Sequence, residues 1–308
     1  MSKDLRIVFL GTPDFAAASL KTLVENNVNV VAVITAPDKP KGRGKKLGMS
    51  AVKEFALKAD LPVLQPTNLK SPEFLEELRN YNADLQIVVA FRMLPVSVWD
   101  MPPLGTFNLH ASLLPQYRGA APINWAIING ETETGVTTFF LKHEIDTGEI
   151  IFQQKETILP TDTVGSLYER LMNKGAELVL KTVNSISKGD YPQSPQDTTL
   201  ALKAAPKIFK DDCKINWEQP SKEIKDFVRG LSPYPAAWSE FEGQTLKIFE
   251  VEESSTGTNK AAGEFYSDGK TYLRVNTKTG TLNILDLQLQ GKKRMPIEDF
   301  LRGYQFKG

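Results

Sequence analysis

Short apolar runs alternate with helical segments over the first 110 residues, and this alternation limits the fold more than any other feature. The run "LRIVFLG" ends in a glycine, and "TPDFAAASLKTLVENN" after it repeats its apolar residues at helical spacing. The runs "VNVVAVIT", "DLQIVVAF" and "GTFNLH" alternate in the same way with the helical segments "SAVKEFALKADL" and "SPEFLEELRNY". This order predicts an α/β fold with a mostly parallel sheet covered on both faces.

The sequence changes character after residue 189. Residues 190–207 are rich in Pro, Gln, Thr and Ala and predict a linker. From residue 208 onward, short runs such as "TLKIFEVEE" and "TLNILDLQLQG" alternate in strand-like fashion and predict a small antiparallel β-barrel. The predicted division is therefore a first domain over 1–189, a linker over 190–207 and a second domain over 208–308.

Charge and cysteine content exclude several classes of protein. Lys plus Arg equals Asp plus Glu at 37 each, so any nucleic acid has to be met by a local basic patch. The N-terminal run lacks a signal-peptide pattern, and no apolar stretch approaches the roughly 20 residues needed to span a bilayer. The single cysteine, Cys213, excludes an internal disulfide and a cysteine-based metal cluster. These features predict a cytoplasmic protein.

Three polar side chains are candidates for one site. Asn108 and His110 are two residues apart at the end of a predicted strand, so their side chains point to the same face. Ligands of parallel sheets bind at the carboxyl ends of the strands, and Asp146 lies in a polar loop, "HEIDTGE", that is able to fold over this edge. An amide, an imidazole and a carboxylate suit acyl transfer. The alternative is a structural histidine that satisfies its own hydrogen bonds.

A basic segment follows the second predicted strand. Residues 39–53 contain six basic side chains, no acidic one, and glycines at three positions. Such a loop at the mouth of a crevice suits capture of a polyanion through phosphate contacts, although a solvated charge run is the common alternative. Lys270, Arg274 and residues 291–295 form a second, weaker candidate patch on the predicted barrel.

Other motifs favour no nucleotide or zinc site. The glycine loop after the first strand reads "GTPDFA" and not GxGxxG, and the chain has no GxxxxGK[ST] motif. The only other histidine, His143, sits in a polar loop without an HExxH pattern and is predicted to be solvated or to fix the loop. Residues 112–119, "SLLPQYRG", suit close approach of a ligand or an ordinary loop, and their pattern does not separate the two.

Four stretches in this order, "GTPDFA", "PDKPKGRGKKL", "NLHASLLPQYRGAAPINWAI" and "GVTTFF…EIDTGEII", closely resemble the methionyl-tRNA formyltransferase family. The resemblance continues through "INW", "SPYPAAW" and "GKK" and covers nearly the whole chain. The Asn-x-His and Asp-Thr-Gly set is shared by the wider group of 10-formyltetrahydrofolate-dependent enzymes, including glycinamide ribonucleotide and sugar-nucleotide formyltransferases. The basic loop and the C-terminal barrel single out the tRNA-modifying family.

The resemblance implies a Rossmann-like, formyl-folate-binding domain followed by an OB-like domain that helps to hold tRNA. It implies formyl transfer from 10-formyltetrahydrofolate, as cosubstrate and without a metal, to methionyl-initiator tRNA for translation initiation by a monomeric enzyme. By position, the catalytic residues are Asn108, His110 and Asp146, the folate contacts are Ser112, Leu113, Leu114 and Pro115, and the tRNA contacts are Arg43, Lys45 and Lys46.

One stretch departs from the family pattern. The chain reads "AFRMLP" over residues 90–95, where the family often has a tyrosine-glycine pair and a longer turn. This stretch is closer to the glycinamide branch, and the resemblance implies that it lines the folate pocket. Two alternatives share parts of the pattern: a formyltransferase for a small amine such as a nucleotide sugar, and a non-catalytic RNA-binding protein with an inherited Rossmann-like domain.

Overall fold

The structure is a computed structural model that describes residues 4–41, 46–197, 199, 201–254 and 260–304. The chain folds into two compact units, each built from several segments. Unit 1 comprises Met1–Arg118, Gly135–Glu156 and Glu169–Ala204, and unit 2 comprises Gly119–Thr134, Thr157–Tyr168 and Ala205–Gly308.

Strands and helices alternate through the first half of the chain, and strands dominate the second half. Strands β1–β9 are Ile7–Gly11, Val30–Ile34, Lys39–Lys41, Lys46–Gly48, Val63–Leu64, Leu85–Val89, Thr106–His110, Arg118–Gly119 and Glu133–Phe140. Strands β10–β17 are Ile150–Thr157, Ala204–Ala205, Ala237–Phe241, Gln244–Ser254, Phe265–Ser267, Leu273–Asn276, Thr281–Leu289 and Met295–Pro296. Helices α1–α8 are Asp14–Glu25, Ala51–Lys58, Pro72–Asn80, Val96–Trp99, Pro122–Ile128, Val164–Lys188, Ser221–Leu231 and Ile297–Gly303, and Asp211–Cys213 forms a 3₁₀ turn.

Unit 1 is organised around a seven-stranded sheet in the order β10-β9-β7-β6-β1-β2-β5. Strands β7, β6, β1, β2 and β5 run parallel, and β9 joins β7 in the antiparallel sense. Every residue of β1 and of β6 is buried, which explains why β1 is apolar throughout and why Gln86 is the one polar residue of β6. The predicted Rossmann-like, mostly parallel sheet is confirmed.

Two helices of unit 1, α2 and α3, begin directly after a serine. The Ser50 hydroxyl accepts the backbone N–H of Lys53, and the Ser71 hydroxyl accepts that of Phe74, so each serine caps its helix. Asp14 is the first residue of α1 and not its N-cap, because Pro13 holds the extended backbone before the helix. Its carboxylate accepts the N–H of Phe15, where negative charge favours the helix N-terminus.

Strand β7 lies near the middle of the sheet. Because it runs parallel to β6, β1 and β2, the carboxyl ends of all four strands lie at the same edge. On the face of the strand opposite to Asn108 and His110, Leu109 packs against α6. A Cβ atom on Gly175 of that helix would lie 2.8 Å from the Leu109 Cδ2 atom, so a larger residue there would require the Leu109 side chain to move.

Unit 2 contains an antiparallel sheet in the order β12-β13-β16-β15-β14, with β17 pairing with β16. The sheet forms a curled half-barrel around a core that includes the inward residues of the strands and the apolar face of α7, among them Ile224, Val228 and Leu231. The indole Nε1 of Trp217 donates to the Ser239 hydroxyl within this core at 2.9 Å. The predicted fold class of the second domain, a small OB-like β-domain, is therefore confirmed.

The two units are composed of different segments from the predicted domains, whose bounds stay a prediction. Residues 119–134 and 157–168 belong to unit 2, although they lie within the predicted first domain, and residues 190–204 of the predicted linker belong to unit 1. Ser194 pairs with Ile150, which ties that segment to the edge of the sheet. Within the part of the chain that the structure describes, no helix has both the length and the apolar character to cross a lipid bilayer.

Candidate active site

His110 and Asp146, which are 36 positions apart in the sequence, meet at the carboxyl end of β7. The imidazole Nδ1 lies 3.9 Å from the Asp146 Oδ2, and the two side chains are only 8% and 12% exposed. At this separation the two groups interact as charges when the ring is protonated, and they are too far apart for a hydrogen bond. The structure thus brings together two of the three predicted catalytic residues.

Asn108 lies two residues before His110 on the same strand, and its side chain is on the same face. The residue is half-buried. Within the described ranges, no side chain or backbone group hydrogen-bonds to this amide. An amide in this position is able to donate to a group bound beside the His110 ring.

The second nitrogen of His110 is fixed by a residue that the sequence did not single out. The imidazole Nε2 lies 2.8 Å from the backbone carbonyl oxygen of Tyr117. A carbonyl only accepts hydrogen bonds, so Nε2 carries a proton and donates it. Tyr117 itself adopts a left-handed φ of 59° and donates its N–H to the Lys203 carbonyl at 2.7 Å.

The predicted folate contacts, Ser112, Leu113, Leu114 and Pro115, lie in the loop that follows β7. Ser112 is fully buried and its hydroxyl donates to the Gln116 carbonyl at 2.6 Å, and Leu114 is 3% exposed. These two side chains therefore shape the loop, whereas Leu113 and Pro115 are half-buried and reach its surface.

Asp146 belongs to the loop of residues 141–149 between β9 and β10, which we call the Asp146 loop. Asp146 has a left-handed φ of 56°. A Cβ on Gly148 would lie 1.5 Å from the carbonyl oxygen of Phe140, so only glycine allows the loop to lie against the end of β9. This close approach explains the glycine of the "DTG" motif. A cleft of about 540 Å³ opens beside the loop, and Arg118 and Gln196 contribute to its lining.

The predicted tRNA contacts belong to the segment that contains β3 and β4, which pair in the antiparallel sense and which we call the basic hairpin. Arg43 and Lys45 lie outside the described residues, and only the backbone of Lys46 is described. Lys53, which the sequence groups with the basic segment, has its Nζ 2.6 Å from Asp38 Oδ2 and 2.7 Å from Gln65 Oε1. The Lys53 ammonium is therefore paired with the Asp38 carboxylate at the base of the hairpin.

Two other predicted basic or histidine features have structural partners. His143 is exposed, and its ring meets that of Trp99 edge-on at 5.5 Å, in agreement with a loop-fixing role. On unit 2, the Arg274 guanidinium lies 4.0 Å from the centre of the Tyr272 ring, and Arg294 pairs with Asp286 at 2.7 Å.

Among the described residues, no group of three or more His, Cys, Asp or Glu side chains is placed to hold a metal ion.

The divergent stretch "AFRMLP" follows β6 at the same sheet edge as His110. Arg92 donates from Nη1 to the Thr67 carbonyl at 2.9 Å and from Nη2 to the Pro66 carbonyl. The arginine therefore fastens this stretch to the segment after β5, and the Met93 side chain is left 74% exposed.

The fold is shared with solved formyltransferase structures of low sequence identity. An N-formyltransferase from Helicobacter canadensis, solved with folinic acid and dTDP-3-aminofucose, matches with a TM-score of 0.67 and 21% identity over 94% of this chain and 100% of that one. HypX from Aquifex aeolicus, solved with tetrahydrofolic acid, matches with a TM-score of 0.63 and 21% identity over 98% of this chain. The chain spans about half of HypX, 48% of its length.

Relatives of much higher identity match the chain from end to end. The methionyl-tRNA formyltransferase of Bacteroides fragilis is 57% identical over 98% of this chain and 96% of its own length. That of Parabacteroides distasonis is 58% identical over 98% of this chain and 97% of its own length. The family model described as formyl transferase matches residues 5–183, and the model of its C-terminal domain matches residues 207–305. The chain therefore belongs to the formyl transferase family, among its methionyl-tRNA formyltransferases.

Proposed function

We propose that the chain transfers the formyl group of 10-formyltetrahydrofolate to the α-amine of methionyl-initiator tRNA, forming N-formylmethionyl-tRNA for translation initiation. The observation that carries this proposal is the His110 imidazole, held between the Tyr117 carbonyl at 2.8 Å and the Asp146 carboxylate at 3.9 Å beside Asn108. An imidazole, a carboxylate and an available amide together supply the proton transfer and oxyanion stabilisation that acyl transfer requires.

The reaction exchanges one carbon–nitrogen bond for another. The neutral α-amine attacks the formyl carbon, a new N–C bond forms, and the formyl oxygen becomes an oxyanion. Collapse of this intermediate breaks the bond between the formyl carbon and N10 of the folate, and the proton lost by the amine ends on N10. We assign oxyanion stabilisation to Asn108 and His110, and relay of the amine's proton to Asp146.

The geometry around His110 decides which ring nitrogen faces Asp146. Its Nε2 donates to a carbonyl, so a neutral ring would present the lone pair of Nδ1 to the Asp146 carboxylate. Because the 3.9 Å gap is longer than a hydrogen bond, Nδ1 is able to donate to an oxyanion beside the pair whenever it carries a proton.

We assign the folate contacts to the loop over residues 112–115. Leu113 and Pro115 are the members of this set with exposed surface, and they follow His110 closely in the chain. The fully buried Ser112 and the buried Leu114 hold that surface in place. Leu114 N–H donates to the Thr137 hydroxyl at 3.2 Å, which anchors the loop to β9.

We assign the acceptor end of the tRNA to the basic hairpin through Arg43, Lys45 and Lys46. The hairpin follows β2, and β2 is three strand positions from β7, or about 14 Å along the same sheet edge. A basic hairpin at that distance suits phosphate contacts that orient a substrate without taking part in the chemistry.

The decisive experiment is a formylation assay with purified methionyl-tRNA and 10-formyltetrahydrofolate. We expect formylation of methionyl-tRNA and none of an amino-sugar nucleotide offered in its place. Formylation of the sugar nucleotide alone would support the small-amine alternative. Binding of methionyl-tRNA with no folate binding in a fluorescence titration would support the non-catalytic RNA-binding alternative, and either result would remove the proposal.

We also propose that the enzyme is a cytoplasmic monomer. The single cysteine supports the location, because it offers no internal disulfide and the cytoplasm keeps thiols reduced. Light scattering coupled to size-exclusion chromatography is expected to give the mass of one chain, 34.3 kDa.

A further inference from the structure

Gln196 lies in the segment that composition assigns to a linker, yet it is 9% exposed and fully hydrogen-bonded. Its side-chain Oε1 accepts from Arg118 Nε at 3.1 Å and from Arg118 Nη2 at 2.6 Å. Its Nε2 donates to the carbonyl oxygens of Asp146 at 2.8 Å and Gly148 at 2.9 Å. Both donors and both lone pairs of the amide are therefore used, which fixes the direction in which it points.

These hydrogen bonds connect the two segments that carry the catalytic pair. His110 Nε2 is bound by the carbonyl of Tyr117, and Arg118 is the next residue along the chain. Gln196 joins Arg118 to the backbone of Asp146, whose carboxylate faces His110 Nδ1 at 3.9 Å. The result is a closed ring of interactions around the imidazole and the carboxylate.

The Asp146 loop needs such a hold because of its local geometry. Asp146 is in the left-handed region at a φ of 56°, which is uncommon for a residue other than glycine. The Gln196 amide binds the carbonyls on either side of Thr147, so it fixes the backbone of the loop where it turns. The orientation of the Asp146 carboxylate follows from that backbone.

We propose that Gln196 is a positioning residue for formyl transfer, which holds Asp146 at His110 by binding the backbone of the Asp146 loop. This inference rests on the proposed function. Gln196 does not touch the reacting atoms through its amide, because protein groups occupy all four of its hydrogen-bonding positions. Its effect on the reaction is exerted through Asp146.

The test is Gln196→Glu in the full-length enzyme. Glutamate keeps an oxygen for Arg118 but has no N–H to donate to the Asp146 and Gly148 carbonyls. Displacement of a catalytic group by about 1 Å costs on the order of 10²-fold in rate, so we expect kcat to fall by about 10- to 100-fold. The KM values for methionyl-tRNA and for the folate are expected to stay within about twofold, because no residue assigned to either substrate is changed.

Two comparisons separate positioning from general damage to the fold. Gln193→Glu makes the same change at an exposed position three residues earlier and is expected to leave kcat unchanged. In an Asp146→Asn background, Gln196→Glu is expected to add nothing further, since both changes remove the same carboxylate contribution. Gln196→Met, which has a similar shape and adds no charge, serves if the glutamate variant does not fold, and the same loss of kcat is expected.

The pH dependence of kcat provides the remaining readout. Gln196→Glu is expected to shift the profile towards that of Asp146→Asn, an effect that a purely structural residue does not produce. An active wild-type enzyme with Gln196→Glu or Gln196→Met at wild-type kcat, or with losses that add fully to that of Asp146→Asn, would overturn the positioning role. A wild-type enzyme that formylates nothing would instead remove the proposed function.

Discussion

His110 and Asp146, the pair that we propose to be catalytic, are held in a different way from the base of the basic hairpin. His110 and Asp146 are 8% and 12% exposed, and each is fixed through interactions that reach distant parts of unit 1. The basic hairpin consists of two three-residue strands, and the hydrogen bonds that anchor it involve Asp38, Lys53 and Gln65 at its base. Chemistry requires atoms at fixed distances, whereas phosphate binding requires only charge within reach. Substitutions in the two regions should therefore change different kinetic constants.

The largest effect is expected for His110→Ala. We expect kcat to fall by about 10⁴-fold, because the change removes an oxyanion donor and also the ring that faces the Asp146 carboxylate. The affinity for methionyl-tRNA, measured by filter binding, should stay nearly unchanged. His143→Ala is the matched control, since that ring is exposed and packs against Trp99. Wild-type kcat in the His110 variant would break the assignment of this edge to the chemistry.

Asp146→Asn is expected to lower kcat by about 10³-fold with little change in either KM. The amide keeps the shape of the side chain but cannot stabilise a charged His110 ring across the 3.9 Å gap. The measurement is kcat as a function of pH. A profile identical to that of the wild type would show that the carboxylate does not act on the imidazole.

Gly148→Ala tests whether the position of the Asp146 loop matters apart from its chemistry. The added methyl group would lie 1.5 Å from the Phe140 carbonyl oxygen, so the loop has to move. We expect kcat to fall by about 10²-fold, the cost of a displacement near 1 Å. Gly303→Ala is the control, because a Cβ at that position meets nothing within 4 Å. Equal activity of the two variants would contradict the link between loop position and rate.

Periodicity predicts most of the framework of unit 1 because its strands and helices form from local apolar patterns. The run ending at His110 is short and alternates apolar Phe107 and Leu109 with polar residues, so its assignment to a strand follows from the sequence. The caps at Ser50 and Ser71 are likewise local signals. The position of Asp146 at His110 is of another kind, because nothing in the loop's own sequence indicates which way its carboxylate faces.

Gln196 and the basic hairpin show where pattern-based prediction ends. Gln196 binds residues 48, 50 and 78 positions away, and an isolated buried amide in a segment without periodicity leaves no signal in a single sequence. For the basic hairpin the sequence predicts only a loop, because strands of three residues that include Pro40 show no alternation. The sequence also groups Lys53 with the basic charges, because its ion pair with Asp38 spans 15 positions and leaves no local pattern.

Arg43→Ala combined with Lys45→Ala and Lys46→Ala tests the other side of the comparison. We expect kcat/KM for methionyl-tRNA to fall by about tenfold while kcat at saturating tRNA stays near the wild-type value. The dependence of log K on log salt should become shallower by about one for each phosphate interaction that the substitutions remove. Lys188→Ala, at the exposed end of α6, is the control. An unaltered salt slope would mean that these three side chains are solvated and make no phosphate contact with the tRNA.

The smallest effect is expected for Lys53→Met, and it separates anchoring from phosphate binding. Lys53 and Asp38 are 17% and 27% exposed, so removal of their ion pair should lower the free energy of unfolding by about 1 kcal/mol, measured by urea denaturation. Because the lysine charge is already neutralised at 2.6 Å, the salt dependence of tRNA binding should stay at the wild-type slope. Asp38→Asn should reproduce the loss of stability. A shallower salt slope for Lys53→Met would mean that this lysine leaves Asp38 for a phosphate when tRNA binds, and that the base of the hairpin is rebuilt on the substrate.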